Sequence, residues 1–262
     1  MNAFKLAHNA LMSRSIDEKI TLTNELQQLK ETHQLNYQSQ HSTQSIQDPG
    51  RPQKPDLVRF QSVPKRDGSD TGLIKTIHAI CHIEFNAINL ALDAVYRFHD
   101  MPDKFYQDWI QVAFEEAKHF TLINNYLSDL GYHYGDFDAH DGLWTMTHDT
   151  DYDVLARMAL VPRVLEARGL DVTPNIQKKF QRSKFKNMVE ILDVIFTDEI
   201  GHVKTGNHWF HYLCQQRGLD SMQTFDRLVK KHIGEKLRGP FNIEARKLAD
   251  FSNQELKYLQ AL

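Results

Sequence analysis

Trp109-Ile110-Gln111-Val112-Ala113-Phe114-Glu115-Glu116-Ala117-Lys118-His119-Phe120 and Leu192-Asp193-Val194-Ile195-Phe196-Thr197-Asp198-Glu199-Ile200-Gly201-His202-Val203 follow one plan. Each sets a Glu-x-x-His inside an apolar stripe. The first stripe is Trp109, Val112, Ala113, Glu116, His119, Phe120, Ile123 and Leu127. The second is Leu192, Ile195, Phe196, Glu199, His202, Val203, Phe210 and Leu213. Recurrence at i, i+3, i+4 and i+7 marks the buried face of a helix. A lone Glu precedes each pair on a stripe of its own. Glu84 lies 32 positions before Glu116, among Ile77, Cys81, Ile88, Ala91 and Val95. Glu166 lies 33 positions before Glu199, after Leu155, Ala159 and Pro162.

Twelve Glu and fourteen His in 262 residues give about 0.6 Glu-x-x-His matches by chance, so the motif alone is weak. Its duplication on apolar faces is not. An unpaired Glu is almost never fully buried, and burying one ion costs on the order of several kcal/mol. Whole domains are stable by only about 5–15 kcal/mol. Four core carboxylates therefore need neutralising. Two divalent cations balance four Glu, and neutral imidazoles complete the coordination. A Glu from each of two helices and Glu-x-x-His from each of two others is the set with which a four-helix bundle holds two metals. Hard oxygen donors with two His suit iron or manganese rather than copper or a thiolate-bound zinc.

These residues resemble the ferritin-like di-iron carboxylate superfamily, with Glu84, Glu116, His119, Glu166, Glu199 and His202 as the implied ligands of two Fe ions, or of a Mn/Fe pair. The run Asp198-Glu199-Ile200-Gly201-His202 is similar to the D-E-x-x-H motif of its oxygen-activating members. That likeness implies Asp198 on the free ring nitrogen of His119 and, by pseudo-symmetry, Glu115 on that of His202; outer carboxylates of this kind orient the ring and raise its basicity. A narrower resemblance rests on Asp48-Pro49-Gly50-Arg51-Pro52, on Leu160-Val161-Pro162-Arg163-Val164-Leu165-Glu166-Ala167-Arg168-Gly169-Leu170-Asp171 and on the D-E-I-G-H run. These look like a bacterial family catalogued as domain of unknown function 455, itself classed as ferritin-like. It reinforces the metal site and adds nothing about substrate.

The expected fold is all-α: a ferritin-like four-helix bundle over residues 70–217, with core helices at about 70–98, 103–130, 152–168 and 183–217. An N-terminal part, 1–69, should hold one or two helices within 3–31, with a break at Ser13-Arg14-Ser15. Residues 33–47, rich in Gln, Ser, Thr and His, read as a flexible linker, and the proline-rich 48–67 as extended. The C-terminal part, 218–262, should add one or two helices at 220–260. Between core helices two and three lie about twenty residues, Gly131 to Asp151, expected to form a long crossover. Pro162, one turn before Glu166, should kink its helix.

Only 12 Gly and 8 Pro favour helix. A net charge of −3 supplies no global field for nucleic acid or anionic membrane. The basic clusters Lys178, Lys179, Arg182, Lys184, Lys186 and Arg227, Lys230, Lys231, Lys236, Arg238 read as solvated faces, although one ferritin-like family modifies a tRNA base. Cys81 and Cys214 make no disulfide framework, and Cys81 reads as a core filler. No membrane span or signal-peptide core is visible, so a cytoplasmic location is expected. His133, His140 and His148 share no helical face and are not read as ligands. His78 and His82 read as outward or hydrogen-bonded. Tyr96, Tyr106 and Tyr126 are candidates for a redox tyrosine by nearness to the core helices alone.

The expected function is an oxygen-activating oxidase or hydroxylase, with dioxygen and a small molecule as substrates and a separate electron donor. The alternative is a ferroxidase that handles iron without an organic substrate. The long terminal extensions favour the enzyme, since they would obstruct a tight storage shell. A scaffold braced by metal is the weakest reading, since four Glu are a costly brace.

Overall fold

A computed structural model describes residues 1–38, 43–234 and 237–260. Lys236 and residues 39–42 of the expected linker thus lie outside the described residues. The structure is all-helical, with no strand among the described residues beyond two isolated bridges. Two compact units divide it, Met1–His148 and Asp149–Leu262.

Unit 1 begins with α1 (Ala3–Met12) and α2 (Ile16–Glu31). Asn2 caps α1 by accepting the Lys5 N–H at 2.9 Å, and Ser15 caps α2 by accepting that of Glu18 at 3.3 Å. The break therefore falls where Ser13-Arg14-Ser15 predicts. The buried Lys19 ammonium reaches back to the Ala10 and Leu11 carbonyls, 2.8 Å each, closing the end of α1. The long helices α3 (Asp70–Arg97) and α4 (Asp103–Asp129) pack on each other; α1 packs on α3 and α2 on α4.

The segment between α2 and α3 is more ordered than its composition suggests. Asn36 exchanges hydrogen bonds with Met1 and Ala3, Ile46 is buried, and the Gln47 carbonyl accepts the Trp144 indole N–H at 2.8 Å. Few apolar residues suffice where backbone groups do the tying. The proline-rich stretch is extended apart from a 3-10 turn at Phe60–Ser62. Its Val58 N–H and Asp56 carbonyl pair with Ala139, and its Gly50 N–H donates to the Leu11 carbonyl at 2.9 Å. A Cβ at Gly50 would lie 2.2 Å from the Met12 carbonyl carbon, so only glycine permits this seat. The stretch after α4, read as loop, contains α5 (Gly142–Asp149), pinned by the buried Trp144. Eight residues with one anchor are too short to show a helical period.

Unit 2 opens with one helical run made of α6 (Val154–Leu160), a π segment (Val161–Glu166) and α7 (Ala167–Gln181). It continues past the expected end near 168. A glycine inside a helix costs only about 1 kcal/mol, and burial of Leu170 and Phe180 outweighs that at Gly169. The run packs on α8 (Asn187–Gln216), followed by α9 (Ser221–His232), α10 (Ile243–Leu248) and α11 (Asn253–Gln260). The helical run, α8 and the last two helices share a core that includes Leu170, Val203, Phe251 and Leu256. Among the described residues no helix is long and apolar enough to cross a membrane.

Candidate metal centre

In unit 1, α3 carries Glu84 and α4 carries Glu116 and His119. All three are buried, Glu116 and His119 completely. Each offers a ligand atom, and these atoms lie within 4.8 Å of one another. His119 Nδ1 stands 3.2 Å from Glu84 Oε2 and 3.4 Å from Glu116 Oε2. Burial alone would lower the His119 pKa, but the hydrogen bonds and charges of Glu116 and Glu84 raise it to about 11. Cys81, one turn before Glu84, is fully buried and its thiol is pushed well up by burial, as expected of a core filler.

In unit 2, Glu166 ends the π segment, and α8 carries Glu199 and His202, all buried. His202 Nδ1 lies 3.7 Å from Glu199 Oε1, a looser approach than that of His119. Pro162 lacks the N–H that would continue the i→i−4 ladder, and the chain answers with wider π turns rather than a simple kink. Such bulges are frequent at functional sites. Pro162 packs against Gly206, one turn beyond His202. A Cβ on Gly206 would fall 2.3 Å from Pro162 Cβ and Cγ. This contact fixes the register of Glu166 against the His202 helix.

A family model described as "Protein of unknown function (DUF455)" matches residues 12–257. The chain belongs to the DUF455 family. It is also similar to a Haemophilus influenzae protein named only as uncharacterized, 50% identical over 216 residues that cover 79% of this chain and 75% of the relative. No solved structure matches the chain.

The DUF455-like string around Glu166 gains a structural meaning. Arg163, one turn before Glu166, is wholly buried, ion-paired with Glu255 of α11, and stacked near Phe210, Phe225 and Phe251 at 4.2, 4.7 and 5.1 Å. Burial would raise the Glu255 pKa, but His211 and Arg163 hold it far below the usual carboxylate range. Asp171, one turn and a half after Glu166, accepts from Arg246 of α10 through Nε at 2.9 Å and Nη2 at 2.8 Å. The C-terminal helices therefore grip the Glu166 helix on both sides of Glu166. Sequence reasoning missed this clamp. Its signal was an arginine between the buried Ala159 and Glu166, whose partner lies 92 positions away.

The outer carboxylates are partly buried. Glu115 accepts from Gln111 Nε2 at 2.9 Å along its own helix. His78 and His82 are buried and hydrogen-bonded rather than outward. Gly135 N–H donates to His78 Nε2 at 2.8 Å, and His82 Nδ1 lies 2.8 Å from the Tyr134 hydroxyl. Burial pushes both imidazoles down to about 4, so both are neutral. His140 Nδ1 accepts from Gly142 N–H at 3.2 Å, His148 Nε2 lies 2.8 Å from Gln47 Nε2, and His133 is exposed. Tyr106 donates to the Phe98 carbonyl at 2.8 Å, with burial raising its hydroxyl to about 12, and Tyr96 accepts from Gln44 N–H.

Proposed function

We propose that the protein is a ferritin-like di-iron carboxylate protein. In this reading Glu84, Glu116, His119, Glu166, Glu199 and His202 together hold two iron ions, or a manganese–iron pair, and the protein acts as an oxygen-dependent oxidase or hydroxylase on a small organic molecule. The observation that carries this is the burial, in each unit, of one lone Glu and one Glu-x-x-His, with the three ligand atoms of unit 1 already gathered within 4.8 Å.

The donor set fits the metals. Four carboxylates balance four positive charges, and two imidazoles complete a hard-oxygen environment suited to iron or manganese. When bound, such a pair supplies the electrons and Lewis acidity for reaction with dioxygen. The chain's residues supply the rest. Glu84, Glu116, Glu166 and Glu199 set the charge of the site, and their burial keeps bulk water out. His119 and His202 each anchor one ion. Asp198 and Glu115, partly buried next to ligands in sequence, orient the opposing imidazoles in this reading. An external electron donor must restore the reduced state after each turnover.

The test is anaerobic Fe(II) titration of the purified chain, followed by oxygen exposure with particle size recorded. Two irons per chain and rapid oxygen uptake by a small particle are expected. Absence of oxygen uptake removes the oxidase reading. A large shell that accumulates far more than two irons per chain establishes iron storage instead.

A further inference from the structure

Unit 2 contains a cavity of about 880 Å³, near the upper end of the range for small-molecule sites. One wall is the Glu166-bearing helix, through Val164, Leu165 and Arg168. The other is formed by Leu237, Arg238 and Phe241, and Arg246 of α10 lies against it. Val164 and Arg168 each lie two positions from Glu166, which itself does not line the cavity, so the cavity opens on a different face of the helix from Glu166.

Among the described residues its lining is rich in positive charge: three guanidinium groups stand against one carboxylate, Asp171. Asp171 is already engaged by Arg246 Nε and Nη2, by the Asn242 N–H at 2.8 Å and, more loosely, by Arg168 Nη1 at 3.7 Å. Arg246 is buried at 3% exposure, yet its Nη1 has no hydrogen-bond partner among the described residues. The guanidinium lies over the rings of Phe241 and Phe251, 5.2 and 5.1 Å from their centroids, which holds its charge beside the cavity. Arg168 uses Nη1 on the carbonyls of Arg238 and Pro240, 3.2 Å each, and its side chain is 44% exposed. Arg238 is exposed and forms no ion pair among the described residues. Guanidinium forks match carboxylate and phosphate oxygens in pairs. Beside them, Leu165, Leu237 and Phe241 form a half-buried apolar wall.

We propose that this cavity binds a small amphiphilic anion, a carboxylate or phosphate monoester on an apolar body. Arg168, Arg238 and Arg246 take the charged end, and Leu165, Leu237 and Phe241 take the body. The proposal is independent of the metal reading, since none of the six candidate ligands lines the cavity.

Isothermal titration of the full chain with decanoate, decyl phosphate, inorganic phosphate and decanol tests it. At least one of decanoate and decyl phosphate should bind with a stoichiometry of one, and the tighter of the two identifies the head group. Inorganic phosphate and decanol should each bind at least about tenfold more weakly. Arg238→Gln, at an exposed position that leaves the fold intact, should weaken the amphiphile about tenfold or more. Phe241→Ala should weaken it while leaving inorganic phosphate unchanged. Failure of both amphiphiles to bind, or unchanged affinity in both variants, overturns the proposal. So does decanol binding as tightly as decanoate.

Discussion

Glu84 stands in an unbroken helix of 28 residues, whereas Glu166 stands at the end of a six-residue π segment. The candidate ligand types in the two units are the same, but the means of holding them differ. In unit 1 two long α-helices pack along their apolar stripes, and His119 Nδ1 stands between Glu84 and Glu116. In unit 2 the backbone leaves α geometry at Pro162. It is then fixed by a close contact with Gly206 and by two buried ion pairs reaching α10 and α11. A duplicated ligand pattern thus does not imply a duplicated scaffold. The irregular half is the one that needs outside support, because a departure from the regular ladder costs energy that only surrounding contacts can return.

The largest effects come from the ligands themselves. Glu84→Ala and Glu166→Ala should each lower bound metal from two ions per chain to one or none, measured by elemental analysis. A variant that kept two tightly held ions would make its Glu a bystander and would break the equivalence of the halves.

Next in size is the clamp that distinguishes unit 2. Glu255→Gln leaves Arg163 charged and buried without its counter-ion, which should cost about 3–5 kcal/mol by denaturant unfolding. The double variant Arg163→Met with Glu255→Leu should recover most of it. The wild-type pair also sets a pH dependence. The folded-state pKa of Glu255 is depressed, so its stabilisation is complete above the ordinary carboxylate value and is lost as pH falls below about 4.5. In the double variant that acid sensitivity should shrink. An identical acid profile in the two proteins would show that the clamp contributes nothing.

Gly206→Ala comes third. Its methyl group would meet Pro162 and must push the π segment off α8, at about 1–3 kcal/mol. Metal affinity should fall with it. The equally helical Gly201, which has nothing within 4 Å of an added Cβ, should accept Ala with no loss or a slight gain. Similar behaviour of the two variants would mean that the Pro162 contact does not set the position of Glu166.

Smallest is the outer carboxylate. Asp198→Asn should leave a folded helical protein whose metal affinity or oxygen reactivity falls about 10–100-fold. Glu190→Gln on the same helix serves as the milder control. Equal values for the two would leave the D-E-x-x-H likeness without mechanical content.

Much of this was legible in the residues. The 3.6-residue period placed α3, α4 and α8 within a few positions, because long amphipathic helices average out local exceptions. It also placed all six candidate ligands on buried faces, since a Glu or His inside an apolar stripe has nowhere else to point. Illegible were α5 and the continuation of the third helical run through Gly169 and Pro174. There weak local preferences were overruled by the burial of Trp144 in one case and of Leu170 and Phe180 in the other.

By itself, then, the sequence determined the helical class and the buried faces that carry the Glu and His residues, both of which follow from periodicity within single helices. Only the tertiary structure decided how Glu166 is presented. The π turns at Pro162, the seat on Gly206, and the Arg163–Glu255 and Asp171–Arg246 pairs depend on residues 44, 92 and 75 positions apart. Contacts of that range leave no period in a sequence, because they depend on which faces meet after the helices have packed.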